Sequence, residues 1–374
     1  MGSRAPSIDW AWLGRLAPRV AVLGVVSGLL LAIASPSGDT LGGDYPVFHA
    51  VGRMVLDGHA GDLYDFHAVE RYEQGLPFEG YLVYPYPPFF AVAFAPLAAL
   101  PYRASYAAFA LLSIGALAAA VRLLSPVSRF VGEDPWRAFA LALLFYPALR
   151  SVLGGQNTAL SLLLLAGAWR MFDARRDFVA GLVLGLLGYK PQLLVPMAGI
   201  VLLAGRPRAA AGAVASVAVL YGGSTIVLGP AWIGQWIHVL QTYLVPDREL
   251  NAYKSVSLAR LADFTGWEHA WVLPSLAVAL WTCRVAVGRG RADFLAVLAI
   301  ATVAALLVPP HAMFYDLGLT LPGLALLADR GRAREAGLLW LGGAAQLLAP
   351  PLPASPLVFV LVAMALLLRR ELRA

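Results

Sequence analysis

Pro87-Pro88-Phe89-Phe90-Ala91-Val92-Ala93-Phe94-Ala95-Pro96-Leu97-Ala98-Ala99-Leu100 decides the topology of this 374-residue chain. The run is apolar from end to end, yet about 14 residues of α-helix rise only about 21 Å against a hydrocarbon core of about 30 Å. It opens on Pro85-Tyr86-Pro87-Pro88 and carries Pro96 inside, where a proline removes a hydrogen bond and bends the helix. The segment 87–100 is therefore predicted to be a re-entrant or interfacial helix. It would return to the side it came from, with its backbone covered by other protein.

The rest of the chain fits a membrane setting. Hydrophobic residues make up 60% and charged residues 13%, where a soluble domain carries about 25% charged residues. Mean hydropathy is +0.71. Apolar segments recur at 104–121, 138–153, 158–172, 177–189, 191–204, 209–228, 270–286, 292–308, 313–328, 336–349 and 355–368. With Val20–Ala34 they predict roughly twelve crossings. Arg4, Arg15 and Arg19 precede that first run, and Ser35-Pro36-Ser37 is a poor cleavage site, so it reads as an uncleaved span with a cytoplasmic N-terminus.

The arginines orient the chain. They cluster at Arg122/Arg129/Arg137, Arg170/Arg175/Arg176, Arg206/Arg208, Arg284/Arg289/Arg291, Arg330/Arg332/Arg334 and Arg369/Arg370/Arg373. If 87–100 does not cross, all of these fall on the cytoplasmic side with both termini, as the positive-inside rule requires. If it crosses, the later clusters fall outside. The expected architecture is thus an all-α polytopic membrane protein forming a single domain over 1–374. Its first extracytoplasmic loop is 35–86 and its second 229–269. A net charge of +6 scattered at helix ends forms no patch for nucleic acid. Single Cys283 excludes an internal disulfide. A Walker loop, a Gly-x-Ser-x-Gly elbow and a His-Glu-x-x-His zinc motif are all missing from the sequence.

The first loop carries the main chemical candidate. After Gly42-Gly43-Asp44, apolar residues at 47, 48, 51, 54 and 55 share one helical face and Gly58 stops the helix. Asp44 thus begins an amphipathic helix predicted to lie on the membrane surface. Its carboxylate is either an N-cap or a general base at the water–lipid boundary. Tyr45, Tyr64, Tyr84 and Tyr86 are either interfacial anchors or a wall for a sugar or isoprenoid. Three further links fall on the same side: Gln156-Asn157 after Arg150, Lys190 with Gln192, and His311 with Tyr315-Asp316. Ionisable groups at membrane depth are costly and point to function. A cation such as Lys190 or Arg150 suits a phosphate. The bland readings are that Lys190 snorkels, that Asp316 caps or pairs with a neighbouring span, and that His311 sits neutral among headgroups.

Gly42-Gly43-Asp44-Tyr45, Leu63-Tyr64-Asp65, Tyr84-x-Tyr86-Pro87-Pro88, Gly155-Gln156-Asn157, Tyr189-Lys190-Pro191 and Pro310-His311-x-x-x-Tyr315-Asp316 together resemble glycosyltransferase family 87, in the same order. The resemblance implies a GT-C membrane enzyme. Such an enzyme takes a sugar, typically mannose, from a polyprenyl-phosphate donor and transfers it to a lipid or glycan hydroxyl outside the cytoplasm. It implies Asp44 as the catalytic base. Lys190, Arg150, His311, Gln156, Asn157, Gln192, Tyr315 and Asp316 are then expected around the donor phosphate or sugar. One displacement would invert the anomeric carbon, with no cofactor and no metal indicated. The expected partners are the lipid-linked donor, the acceptor and membrane lipid, with no nucleic acid. The alternative is a transporter or lipid flippase, although polar residues gathered at one face, rather than at the midplane, speak against it.

Overall fold

The computed structural model describes residues 10–35, 41–78, 80–350 and 355–372. Arg4, Pro36, Ser37, Arg373 and the side chain of Arg15, all used in the sequence argument, lie outside the described residues. The described chain is helical throughout. Among the described residues, four helices are long and apolar enough to cross a membrane alone: Leu16–Ala34, Tyr102–Leu124, Pro207–Leu228 and Val272–Arg289. Shorter apolar helices fill much of the space between them.

The packing centre is the helix Phe294–Leu307, whose sequence FLAVLAIATVAALL is apolar on every side. Such a helix must be covered all round, and every residue of it except Leu295 is buried. Asp293 caps it by accepting the Ala296 N–H at 3.3 Å. The helices Pro191–Leu203, Val272–Arg289, Leu321–Asp329 and Leu357–Glu371 pack around it.

Its two ends define the two ends of the protein. At the Phe294 end, Arg330 binds Asp293 at 2.5 Å and the Arg206 guanidinium lies 4.1 Å from the Phe294 ring centre. Arg206 also binds Asp177 at 2.7 Å, the Phe130 N–H donates to Asp329 at 2.6 Å, and Arg332 binds Glu371 at 2.9 Å. Basic segments from across the chain therefore meet at this end. At the Leu307 end, the Val256 N–H donates to Ala312 at 2.9 Å and Ser255 forms an isolated bridge with Met313.

Several segments expected as straight crossings are interrupted. The segment 138–153 is two helices, Pro135–Leu144 and Tyr146–Leu153, bent by 69°. Pro147 has no N–H for the Leu143 carbonyl, so the ladder breaks there. The segment 177–189 ends in a 3-10 turn, Leu186–Tyr189, ahead of Pro191. The segment 313–328 opens with a 3-10 stretch, Phe314–Thr320, ahead of Pro322. The segment 336–349 becomes the helix Ala333–Gly342 and a 3-10 stretch, Gly343–Leu348. Elsewhere small residues permit close approach: a Cβ on Gly185 would come within 2.6 Å of the Ala213 carbonyl and 2.7 Å of Ser216 Cβ.

The deciding stretch folds as the helix Pro88–Ala98, 11 residues long, which reaches only about 16 Å. It packs against the first-loop helix Tyr45–Leu56, where a Cβ on Gly52 would lie 2.7 Å from Ala98 Cβ. Arg103 donates to the carbonyls of Ile33 and Ser35 at 2.7 and 2.8 Å. The end of the first helix and the start of Tyr102–Leu124 thus meet at one end of the bundle. The helix Tyr45–Leu56 differs from its expected place on the membrane surface. Tyr45 to Gly52 and Met54 are all buried, because Pro88–Ala98 and the start of Tyr102–Leu124 cover it with protein.

Candidate active site

The site begins where two glycine turns pack back to back. Gly43 (φ +56°) and Gly155 (φ +65°) both adopt the left-handed region. A Cβ on Gly43 would lie 2.7 Å from the Gly154 carbonyl oxygen, and one on Gly155 would lie 2.7 Å from the Tyr45 nitrogen. The Asp44 N–H donates to the Gly154 carbonyl at 3.0 Å. The turn 42–44 is thereby stitched to the turn 154–156, so Asp44 and Gln156 meet although far apart in the chain. Gly155→Ala should cost about 2–4 kcal/mol from the left-handed backbone and the clash together. A drop in the thermal midpoint, with loss of any activity carried by Asp44, checks this.

The first two turns of Tyr102–Leu124 anchor this pair of turns. Tyr102 donates to the Leu41 carbonyl at 2.5 Å, Tyr106 to the Leu153 carbonyl at 2.8 Å, and the Tyr45 hydroxyl bonds Ser105 at 2.6 Å. Tyr102, Ser105 and Tyr106 share one helical face. A polar stripe opening an apolar helix was the readable signal for this anchor.

Asp44 precedes the helix Tyr45–Leu56, but its side chain makes no capping hydrogen bond. Instead its Oδ2 accepts from the Gln156 amide, and the carboxylate is half-buried. The N-cap reading therefore fails, and the carboxylate is held from the side by a neutral donor. Asn157 beside it is 2% exposed.

The second half of the site is a buried ion pair. Lys190 donates to Asp316 Oδ1 at 2.7 Å, and both side chains are almost wholly buried. Thr158 donates to the same oxygen at 2.8 Å. Lys190 is thus neither a snorkelling cation nor an unengaged one; its charge is already met by Asp316. Tyrosines join the two halves. The fields of both Asp44 and Asp316 act on the hydroxyls of Tyr86 and Tyr315. Tyr189 stacks on Phe90 at 4.2 Å and bonds Ser161 at 2.7 Å, with Tyr86 6.4 Å from it.

The expected tyrosine wall divides. Tyr45 and Tyr84 are 0% and 2% exposed and serve packing, so neither offers a face to a ligand. Tyr84 donates to the Pro87 carbonyl at 3.1 Å. Tyr64 and Tyr86 are half-buried, and Tyr64 donates to the Tyr86 carbonyl at 2.9 Å. Arg150 is exposed at the end of Tyr146–Leu153, and Gln192 is half-buried beside Lys190. The His311 ring meets Tyr243, from the second loop, edge-on at 6.0 Å.

Glu73, not singled out from the sequence, ties down the backbone two residues before Tyr84. It is 7% exposed and accepts the Leu82 N–H at 3.1 Å. Burial, with a smaller push from Glu70, raises its pKa to about 7. A raised carboxyl pKa means stability is full below about pH 4.5 and falls as pH rises through about 7. Glu73→Gln should remove that slope and gain roughly 1–2 kcal/mol at pH 8. Hydrogen exchange of the 80–86 backbone at pH 5.5 and 8 tests it.

A helical membrane bundle with carboxylates, a buried ammonium and tyrosines gathered at one end is the setting of a membrane-embedded transferase. The profile of glycosyltransferase family 87 matches residues 84–310, more than half of the chain. The chain belongs to that family, and so is a membrane glycosyltransferase with a sugar donor and an acceptor. Membership selects the transferase over the carrier or flippase. Asp44, His311, Tyr315 and Asp316 lie outside the matched residues; Gln156, Asn157 and Lys190 lie within them. No functionally described protein matches the chain.

Proposed function

We propose that the protein transfers a sugar, mannose foremost, from a polyprenyl-phosphate donor to a lipid or glycan hydroxyl on the extracytoplasmic face. The observation that carries this reading is the pairing of Asp44 with Gln156 next to the Lys190–Asp316 pair. In this reading the acceptor oxygen attacks the anomeric carbon and its proton passes to Asp44. The bond to the phosphate oxygen breaks, polyprenyl phosphate leaves, and the configuration inverts. Gln156 donates to one carboxylate oxygen of Asp44 and so fixes the orientation of the base. Lys190 has donors beyond the one given to Asp316 and meets the charge building on the phosphate. Asn157, Tyr86 and Tyr315 line the sugar, and His311, Arg150 and Gln192 stand on the phosphate side.

The proposal includes a GT-C fold with about twelve crossings, in which broken helices near the site count as spans. Both termini then lie in the cytoplasm, the arginine end faces inward, and 87–100 is re-entrant. Transfer proceeds without a metal or cofactor, because Asp316, the nearby second carboxylate, is taken up by Lys190 and Thr158. Purified protein in liposomes, given labelled polyprenyl-phosphate mannose and candidate lipid acceptors, should form a glycosylated lipid, with or without EDTA. Solute uptake with no covalent product would sink the proposal.

A further inference from the structure

A cavity lies at the arginine end, away from Asp44. It is an apolar crevice of about 420 Å³ between Tyr102–Leu124, Pro135–Leu144, Leu321–Asp329 and Ala333–Gly342. Ala120, Leu141, Leu324 and Trp340 line it, and none of the side chains placed around Asp44 does. Trp340 is fixed by donating to the Leu141 carbonyl at 2.9 Å. Leu338 and Leu341 stand on its rim, 60% and 61% exposed. An apolar opening with apolar, exposed lips faces hydrocarbon, not water.

The charges at its mouth are unevenly used. Arg330 is bound to Asp293, and Arg332 to Glu335 and Glu371. Arg334, the one charged residue lining the crevice, is exposed and forms no ion pair among the described residues. Arg137 is also exposed, and its guanidinium lies 5.0 Å from the ring centre of Phe130, another lining residue. Trp136, next in sequence, is 51% exposed with Arg19 stacked over it at 5.9 Å. An exposed tryptophan beside arginines marks headgroup depth. A tail-sized apolar slot thus opens at headgroup level beside two exposed arginines that form no ion pair among the described residues.

We propose that this crevice is a binding site for an anionic glycerophospholipid, with an acyl chain in the slot and the phosphate on Arg334 and Arg137. Arginine suits phosphate because its planar fork can donate two parallel hydrogen bonds. On the orientation proposed above the lipid belongs to the cytoplasmic leaflet, opposite the transfer site.

Delipidated protein in detergent should show a thermal midpoint raised by about 3–5 °C with phosphatidylglycerol and unchanged with phosphatidylcholine. One phosphatidylglycerol should survive in the native mass spectrum. Arg334→Gln should lose most of the shift. Gly337→Trp, at a lining position where a Cβ meets nothing within 4 Å, should block retention by filling the slot. Arg334 is exposed, so its variant keeps the test valid if the bulky one misfolds. Equal shifts with both lipids, an undiminished shift in Arg334→Gln, or preferential retention of polyprenyl phosphate would overturn the proposal.

Discussion

Asp44→Asn should slow sugar transfer by about 10²–10⁴-fold, the range for losing a positioned general base. The reason is local. Asparagine fills the same volume and its carbonyl oxygen can still accept from Gln156, but it cannot take the acceptor's proton. Its effect should fall on kcat, with the KM for the lipid-linked donor within a few-fold. The thermal midpoint should stay put, because the Asp44 side chain caps no helix. Gln156→Ala gives a second point on the same line. It removes the amide that orients the carboxylate, so activity should fall by less, and Gln156→Glu should be worse than Ala at neutral pH because two carboxylates would then repel. Transfer by Asp44→Asn at the parent rate would falsify the assignment of the base.

The residues around Asp44 show what could be read in advance. The polar links after Arg150, at Lys190 and at His311 stood out because ionisable groups between apolar runs are expensive. The fold does bring them together: Gln156 reaches Asp44, and Thr158 and Lys190 share Asp316. Their pairing was not legible. Lys190 and Asp316 are 126 residues apart, and no local pattern says that one neutralises the other. The shortness of the run 87–100 was legible because helix rise sets a length, and the run folds as the 11-residue helix Pro88–Ala98. The setting of Tyr45–Leu56 was misjudged for a related reason. Its apolar face fits lipid or protein equally well, and only Gly52 and Ala98 packing together settles which. The breaks within 138–153 and 313–328 were not legible, because Pro147 and Pro322 sit inside runs that hydropathy alone joins.

Breaking the buried pair should have the largest effect on stability. Lys190 and Asp316 are 3% and 7% exposed, so Lys190→Ala strands a carboxylate and Asp316→Ala strands an ammonium. Removing one partner of a buried pair costs about 3–5 kcal/mol, and each single variant should lose expression and thermal midpoint accordingly. The Asp316 variant also releases Thr158, whose hydroxyl then needs another acceptor. The double variant Lys190→Met/Asp316→Leu removes both charges and replaces them with apolar volume. It should regain most of the lost stability, since a buried pair is often no more stabilising than well-packed apolar residues. Transfer should separate the two roles of the lysine. If Lys190 also meets the departing phosphate, the double variant should be folded yet nearly inactive. If the pair is only a strut, the double variant should regain activity with stability, and phosphate stabilisation would then pass to His311 and Arg150.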